Sequence, residues 1–175
     1  MIRILGGKFK GKKLNNFKLE SLRPTKAIVR KSIMDTLMSF ENKNILDLFS
    51  GVGTLGIEAL SRGANSVHFV DKSPQAIKIL KKNINMLNSD CNIDIKLLDV
   101  FIFLKKNKLK FDVVFADPPY DKYTFNDLIQ LVQPILNNHG VFCYESNKFR
   151  INTSENVKIK KYGATQVVFW RNNEK

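Results

Sequence analysis

Apolar residues follow two different spacings from residue 44 to the end of the chain. Short runs rich in Val, Ile, Leu and Phe alternate with segments in which apolar residues recur every three or four positions. The first pattern is typical of buried strands and the second of amphipathic helices. We predict strands at 45–49, 67–70, 93–97, 111–116 and 141–145, helices at 54–62, 74–87, 100–104 and 125–136, and a closing hairpin of 158–162 with 166–171.

This alternation predicts an α/β fold with a Rossmann-like, doubly wound, mostly parallel seven-stranded sheet. The closing hairpin adds two antiparallel strands to that sheet. Because ligands of such sheets bind beyond the carboxyl ends of the strands, the residues that follow each strand are the first candidates for a functional site.

The first 40 residues follow a different pattern, and we place a domain boundary between 40 and 41. Short alternating stretches separated by Gly6-Gly7 and Gly11 predict a small β-hairpin. Arg23-Pro24-Thr25 then breaks the chain, with Thr25 as the N-cap of a helix over 26–39. The buried stripe of this helix is predicted to contain Val29, Ile33, Leu37 and Phe40, with Lys26 and Arg30 on another face.

Positive charge is concentrated in this N-terminal segment. The formal net charge of the 175 residues is +13, and residues 1–31 contain ten basic side chains and one acidic one, a net +9. The basic residues are interleaved with apolar ones, which indicates a folded basic surface suited to a polyanion. We interpret Cys91 and Cys143 as free thiols of a cytoplasmic protein, and we expect no metal site and no membrane segment.

A glycine-rich loop follows the first strand of the main domain. Gly51, Gly53 and Gly56 form G-x-G-x-x-G between a predicted strand and a predicted helix, the context in which a ligand approaches the backbone. Asp71, twenty residues beyond Gly51, ends the next strand and can accept both ribose hydroxyls of an adenosyl cofactor. Asp99, after the third strand, is placed to meet an adenine amino group.

A nicotinamide dinucleotide and S-adenosyl-L-methionine both fit this loop, and Asp47 favours the second. A carboxylate beside the loop would repel a pyrophosphate, whereas it could hold the ammonium of a methionine moiety. We also assign Phe49, Lys72 and Val100 to the cofactor site, next to these residues in the chain.

Asp117-Pro118-Pro119-Tyr120 follows the fourth strand of the main domain. The prolines end the strand, because proline has no N–H for the ladder. If the Asp117 carboxylate and the Pro118 carbonyl accept the two N–H groups of a nucleobase amine, its nitrogen can direct its lone pair at a methyl donor. Tyr120 would stack on the base. We predict Asp117, Pro118, Pro119 and Tyr120 as the catalytic residues.

The chain resembles the RsmD family, bacterial methyltransferases of guanine N2 in small-subunit ribosomal RNA. The resemblance spans nearly the whole chain in order. It rests on Ile2-Arg3-Ile4-Leu5-Gly6-Gly7, Gly11-Lys12-Lys13-Leu14, Leu22-Arg23-Pro24-Thr25 with Val29-Arg30, the run from Leu46 to Gly63, Asp117-Pro118-Pro119-Tyr120, Tyr144-Glu145-Ser146 and Tyr162-Gly163.

The resemblance implies S-adenosylmethionine as cofactor and a guanine of 16S RNA, in a small ribosomal subunit or its precursor, as substrate. We expect a class I methyltransferase fold and a monomer. The chain departs from the family where Met34-Asp35 replaces Phe-Asn and Asp71 replaces Glu. We expect Arg3, Lys10, Arg23 and Arg30 to contact RNA phosphates and Arg23 and Thr25 to lie near the entry of the flipped base. Gly6 and Gly7 belong to the same RNA-binding motif.

Other functions share some of these motifs. An adenine-N6 methyltransferase acting on RNA or DNA would use the same proline motif, although the chain has no room for a separate DNA-recognition region. A non-catalytic RNA-binding assembly factor would not need Asp47, Asp71 and Asp117 together. An NAD-dependent oxidoreductase is the most distant alternative.

Overall fold

The computed structural model describes residues 2–17, 27–89, 91–119, 122–147 and 156–173. Arg23, Thr25 and Tyr120, which were predicted to contact RNA or the target base, lie outside these ranges. The strands are β1 (Ile2–Arg3), β2 (Lys13–Leu14), β3 (Asn44–Leu48), β4 (Ser66–Asp71), β5 (Asn92–Leu97), β6 (Phe111–Ala116), β7 (Leu136–Asn147), β8 (Val157–Tyr162) and β9 (Thr165–Arg171). The helices are α1 (Ala27–Leu37), α2 (Thr54–Ser61), α3 (Pro74–Asn85), α4 (Val100–Lys106) and α5 (Phe125–Val132).

Seven of these strands form one sheet in the order β5-β4-β3-β6-β7-β9-β8. The five strands β5, β4, β3, β6 and β7 are parallel to one another, whereas β9 pairs antiparallel with both β7 and β8. The predicted doubly wound sheet with an antiparallel finish is therefore confirmed. The order runs from β3 to β4 and β5 on one side and to β6 on the other, so a topological switch point lies between β3 and β6.

Alternate residues of each strand pack on opposite faces of this sheet. Ile45, Val113 and Phe115 belong to a core shared with α1, α2 and α3, whereas Leu46 and Val114 belong to a core shared with α4 and α5. The continuous apolar runs in the sequence are explained by this burial on both faces.

The predicted N-terminal β-hairpin is confirmed, because β1 and β2 pair antiparallel with Ile2 opposite Leu14. We refer to residues 2–17 as the N-terminal hairpin. Ile2, Ile4, Phe9 and Leu14 are buried in the same core as α1, α2 and α3. The hairpin thus packs directly on the main sheet domain.

Two local predictions were wrong. The helix predicted over 125–136 ends at Val132 and continues as a single 3₁₀ turn over Gln133–Ile135, because Pro134 cannot donate the next helical hydrogen bond. Arg30 was placed on an outer face of α1, but it lies on the buried face beside Val29 and Ile33.

Among the residues that the structure describes, no helix combines the length and the apolar character needed to cross a bilayer. The same part of the chain also brings together no group of three side chains capable of holding a metal ion.

Candidate active site

Strand register brings the predicted site residues to one edge of the sheet. Leu48 at the end of β3 pairs with Val70 of β4 and with Ala116 of β6. Phe49, Asp71 and Asp117 come directly after these paired residues. We call this region the carboxyl edge. It lies at the switch point between β3 and β6, where sheets of this topology bind ligands.

Hydrogen bonds hold the loop of residues 50–53 at successive peptide groups. Ser50 N donates to Val70 O over 3.1 Å, and Gly53 N donates to Ser50 O over 2.8 Å. Gly51 N donates to Asp71 Oδ2 over 2.8 Å, and Asn83 Nδ2 donates to Val52 O over 3.0 Å. The loop is therefore fixed before any ligand arrives. We call it the glycine loop.

Two glycines of this loop are needed for different reasons. Gly51 has φ 55° and no heavy atom within 4 Å of the position that a Cβ would occupy, so its backbone faces open space at the carboxyl edge. Gly53 has φ 87°, and a Cβ there would lie 2.4 Å from Leu80 Cδ1. Gly51 therefore borders open space at the carboxyl edge, whereas Gly53 is required by packing against α3. From the sequence pattern we had predicted that a ligand approaches the whole G-x-G-x-x-G loop, without distinguishing these two glycines.

Asp47 has the most unusual electrostatic environment of the site. Its side chain is 2% exposed, and Oδ2 accepts a hydrogen bond from Gly56 N over 2.8 Å. Burial raises the pKa of Asp47 well above its usual range, the nearby charges of Asp117 and Asp71 raise it further, and the Gly56 hydrogen bond opposes them. No ion pair joins Asp47 to a cation in the described ranges. A ligand ammonium would supply the missing positive charge.

Asp71 and Asp99 are held in fixed orientations by backbone donors. Asp71 accepts from Gly51 N through Oδ2 and from Ser73 N through Oδ1, each over 2.8 Å. Asp99 Oδ1 caps α4 by accepting from Phe101 N over 2.9 Å and from Ile102 N over 3.3 Å. A carboxylate oxygen has a second lone pair, so these contacts leave acceptor capacity for ribose and adenine groups.

The other predicted cofactor residues differ in accessibility. Phe49 follows β3 with φ 54° and is partly buried. Lys72 is exposed beside Asp71. Val100 packs its side chain into the core shared with α4 and α5.

An aromatic cluster that the sequence analysis missed adjoins this edge. The ring of Tyr123 lies 5.1 Å from that of Phe49 and 5.3 Å from that of Phe101, measured between centroids. Tyr144 of β7 fixes this segment, because its hydroxyl donates to Tyr123 O over 2.7 Å. Burial raises the pKa of Tyr144 to about 12, so it remains a donor at neutral pH. The available signal was a second tyrosine three residues beyond Tyr120.

Asp117 and the prolines occupy the position predicted for the reacting group. Asp117 is partly exposed after β6, Pro118 is buried and Pro119 is exposed. The charge of Asp117 acts on the neighbouring ionisable groups of Asp47 and Tyr144. A carboxylate that faces solvent beside a buried carboxylate can serve an incoming amine while the buried one serves a cofactor.

The N-terminal hairpin presents most, but not all, of the predicted RNA-binding residues. Arg3 and Lys10 are exposed, and Arg3 Nη1 donates to Gly11 O over 3.1 Å. The prediction that Arg30 contacts RNA phosphates is wrong, because its side chain is only 3% exposed. Its Nη2 donates to Arg3 O over 2.7 Å and its Nε lies 3.8 Å from Glu58 Oε2. Arg30 therefore holds the hairpin on α2 and does not reach phosphates.

Known proteins are similar to this chain over nearly its whole length. Residues 2–171 match the profile of the family described as Conserved hypothetical protein 95. The chain is 33% identical to ribosomal RNA small subunit methyltransferase D of Haemophilus influenzae over 97% of its length and 92% of that protein. It is 31% identical to the protein of that name in Buchnera aphidicola, over 95% of the chain and 90% of the relative. The solved structure of yhhF from Escherichia coli covers 99% of both chains with 26% identity and a TM-score of 0.87.

The sheet order, the antiparallel β9 and the glycine loop after β3 define a methyltransferase of the class I fold. The profile match and the identities above place it more narrowly. The chain belongs to the RsmD family, and the two relatives above carry the name ribosomal RNA small subunit methyltransferase D. The family resemblance seen in the sequence is thereby confirmed.

Proposed function

We propose that this chain transfers a methyl group from S-adenosylmethionine to the exocyclic N2 amine of a guanine in 16S ribosomal RNA. The substrate is an assembling small subunit, and the enzyme acts as a cytoplasmic monomer. The observation that carries the proposal is that two carboxylates, buried Asp47 and partly exposed Asp117, lie close enough to interact electrostatically at the switch point. Membership of the RsmD family supports the ribosomal RNA substrate.

The residues of the carboxyl edge fit the cofactor. Asp47 holds the methionine ammonium, Gly51 leaves space for the ligand, and Asp71 accepts the ribose hydroxyls. Asp99 lies two residues beyond β5 and accepts a hydrogen bond from the adenine amino group. When bound, the cofactor supplies an electrophilic methyl group on a sulfonium.

Asp117 and Pro118 orient the nucleophile. A guanine amine is a weak nucleophile because its lone pair is delocalised into the ring. Two acceptors, the Asp117 carboxylate and the Pro118 carbonyl, bind its N–H groups and favour a pyramidal nitrogen whose lone pair faces the methyl group. The Asp117 charge also stabilises the positive charge that develops on nitrogen. After transfer the amine loses a proton to water or to Asp117. Tyr120 stacks on the flipped base.

The exposed cations of the N-terminal hairpin bind the RNA backbone. Arg3 and Lys10 contact phosphates, while Arg30 keeps the hairpin in place from inside. Arg23 and Thr25 remain predicted contacts near the flipped base, with Gly6 and Gly7 part of the same motif.

The test compares three substrates at matched salt: naked 16S RNA, a protein-bearing small-subunit particle and a DNA duplex. Nucleosides from each reaction are identified by mass spectrometry, with Asp117→Ala as the inactive control. We expect N2-methylguanosine, formed fastest on the particle because it presents the target loop in a fixed shape. N6-methyladenosine would replace the guanine assignment, and equal or faster methylation of the duplex would overturn the RNA assignment.

A further inference from the structure

Asn83 is a buried amide in a helix face that is otherwise apolar. It lies on the buried face of α3 with Ala76, Ile77 and Leu80, and it is 0% exposed. An apolar residue would be the simpler choice at such a position. Burial of an amide destabilises a protein unless its N–H donors and its oxygen have hydrogen-bond partners. Asn83 has partners for both.

One half of its hydrogen bonding joins the N-terminal hairpin. Asn83 Oδ1 accepts from Asn15 N over 2.8 Å and from Asn15 Nδ2 over 3.1 Å. Asn83 Nδ2 donates to Asn15 O over 3.1 Å. The side-chain amide therefore pairs with both backbone groups of Asn15, as a neighbouring strand would, directly after β2.

The other half joins the glycine loop. The same Nδ2 donates to Val52 O over 3.0 Å, between the two glycines. Among the hydrogen bonds of the described residues, Asn83 is the side chain that contacts both the hairpin and this loop. The peptide that includes Val52 O is thereby oriented by the group that anchors Asn15.

Two buried side chains of α2 itself also bond to the hairpin without contacting the loop. Glu58 Oε2 accepts from Leu5 N over 2.8 Å. Ser61 Oγ accepts from Phe9 N over 2.9 Å and donates to Gly6 O over 2.6 Å. The chain therefore offers variants that loosen the hairpin alone, to be compared with a variant that frees both the hairpin and the loop.

We infer that Asn83 is a positioning residue that fixes the RNA-contacting hairpin relative to the cofactor loop. This inference rests on the proposed function, since it assumes that the hairpin binds RNA and that the loop binds S-adenosylmethionine. Each ligand further stabilises the segment that it contacts, and the hydrogen bonds of Asn83 join that segment to the other one. Occupation of either site favours occupation of the other, and the coupling is reciprocal.

The experiment measures that coupling with S-adenosylhomocysteine as the probe. Its dissociation constant is determined by calorimetry with and without saturating 16S RNA. Hydrogen exchange of the hairpin amides is followed in the absence of RNA. In the wild type we expect RNA to tighten probe binding by about 5-fold or more, and the probe alone to slow exchange at the Asn15 amide.

Asn83→Ala should bring the coupling factor close to one and abolish the exchange response of the hairpin. Asn172→Ala is the matched control, because Asn172 is also a buried amide and donates to Leu136 O over 3.4 Å, away from the hairpin and the loop. It should lower thermal stability and leave the coupling intact. Ser61→Ala should raise KM for RNA and leave probe affinity in the absence of RNA unchanged.

A second variant avoids the core. Asn15→Pro removes the backbone donor to Asn83 at an exposed position, and it should reproduce the loss of coupling if Asn83→Ala does not fold. Independent binding of probe and RNA in the wild type, or full coupling in a folded Asn83 or Asn15 variant, would overturn the inference and leave the proposed function standing. A wild type that binds no probe would overturn both.

Discussion

The carboxyl edge and the N-terminal hairpin use charge in opposite ways. At the edge the charged groups are short acids whose oxygens accept from backbone N–H groups, as Asp47 and Asp71 do. On the hairpin they are long basic side chains such as Lys10 and Lys13, which are exposed. The acids of the edge are therefore held in fixed positions, whereas the exposed cations of the hairpin create a positive electrostatic potential over its surface.

This difference follows from what each region has to recognise. Methyl transfer needs the donor, the amine and the carboxylate aligned within a fraction of an ångström, so preorganised short side chains are favoured. Phosphates along RNA are regularly spaced and carry no sequence information by themselves, so flexible cations are adequate. The backbone of the hairpin is held in place by hydrogen bonds to four buried side chains, those of Arg30, Glu58, Ser61 and Asn83.

The largest effect is expected where the edge meets the reacting amine. Asp117→Ala should lower single-turnover methyl transfer by roughly 10²–10³-fold, because one preorganised electrostatic partner is lost. Affinity for S-adenosylhomocysteine should change far less. Asp94→Asn, which removes an equal charge from the edge strand β5, is the control and should leave the rate unchanged. Wild-type turnover in Asp117→Ala would show that the carboxylate is not part of the chemical step.

The two glycines separate ligand space from packing. Gly53→Val should destabilise the protein by about 1–2 kcal/mol from its backbone conformation and about 1–3 kcal/mol from the clash with Leu80. Gly51→Val should incur the backbone cost alone and still lose probe binding, because its Cβ enters open space at the edge. Thermal unfolding and calorimetry test this. Undiminished binding by a folded Gly51→Val would place the ligand elsewhere.

Arg30 tests whether the hairpin is held from inside. Arg30→Ala leaves Glu58 buried with one charge partner fewer, which should destabilise the protein by about 3 kcal/mol. Denaturant unfolding measures this change. The salt dependence of RNA binding by the folded fraction should match that of the wild type. A stable variant with an altered salt dependence would restore the original prediction that Arg30 contacts phosphate.

Asp47 predicts how the edge responds to pH. Its pKa in the folded protein is raised above the ordinary value of 3.8, so the folded state binds more protons than the unfolded state between these two pKa values. The free energy of unfolding of the ligand-free protein should therefore fall as pH rises through this window. Protonation competes with the ligand ammonium, so probe binding should weaken as pH falls through the same window.

Asp47→Asn should flatten the pH profile of the free energy of unfolding and abolish probe binding. An asparagine oxygen can still accept from Gly56 N, so the ligand-free variant should be at least as stable as the wild type at neutral pH while its probe binding is lost. An unchanged pH profile in this variant would assign the titration to another group.

Much of this fold could be predicted because its determinants are local. Strand and helix periods, the Ser73 cap with Pro74, and the residues after each strand sufficed to place Asp47, Asp71 and Asp117 at one edge. The end of α5 also has a local determinant, because Pro134 is incompatible with the helix predicted over 125–136.

The remaining errors depended on contacts between segments distant in the chain. Arg30 has a charged side chain, which suggested exposure although it lies three and four residues before the buried Ile33 and Met34. Its burial is explained by Glu58, 28 positions away. Gly53 and Gly51 look alike in a motif, and Leu80 on another helix distinguishes them. The aromatic contact of Tyr123 with Phe49 and the two-sided bonding of Asn83 likewise need the assembled sheet.

The smallest effect is expected for a single exposed cation of the hairpin. Lys10 is exposed on the hairpin, so Lys10→Ala should change the free energy of unfolding by less than about 0.5 kcal/mol. If Lys10 contacts one phosphate, the slope of log affinity against log salt should decrease by roughly 0.7–0.9. Lys110→Ala is the matched control, because Lys110 is exposed directly before β6, at the end of that strand opposite the carboxyl edge. Equal slopes for the wild type and both variants would mean that Lys10 is solvated surface, whereas equal losses in both would mean that RNA binding is spread over the whole basic protein and the hairpin has no special part in it.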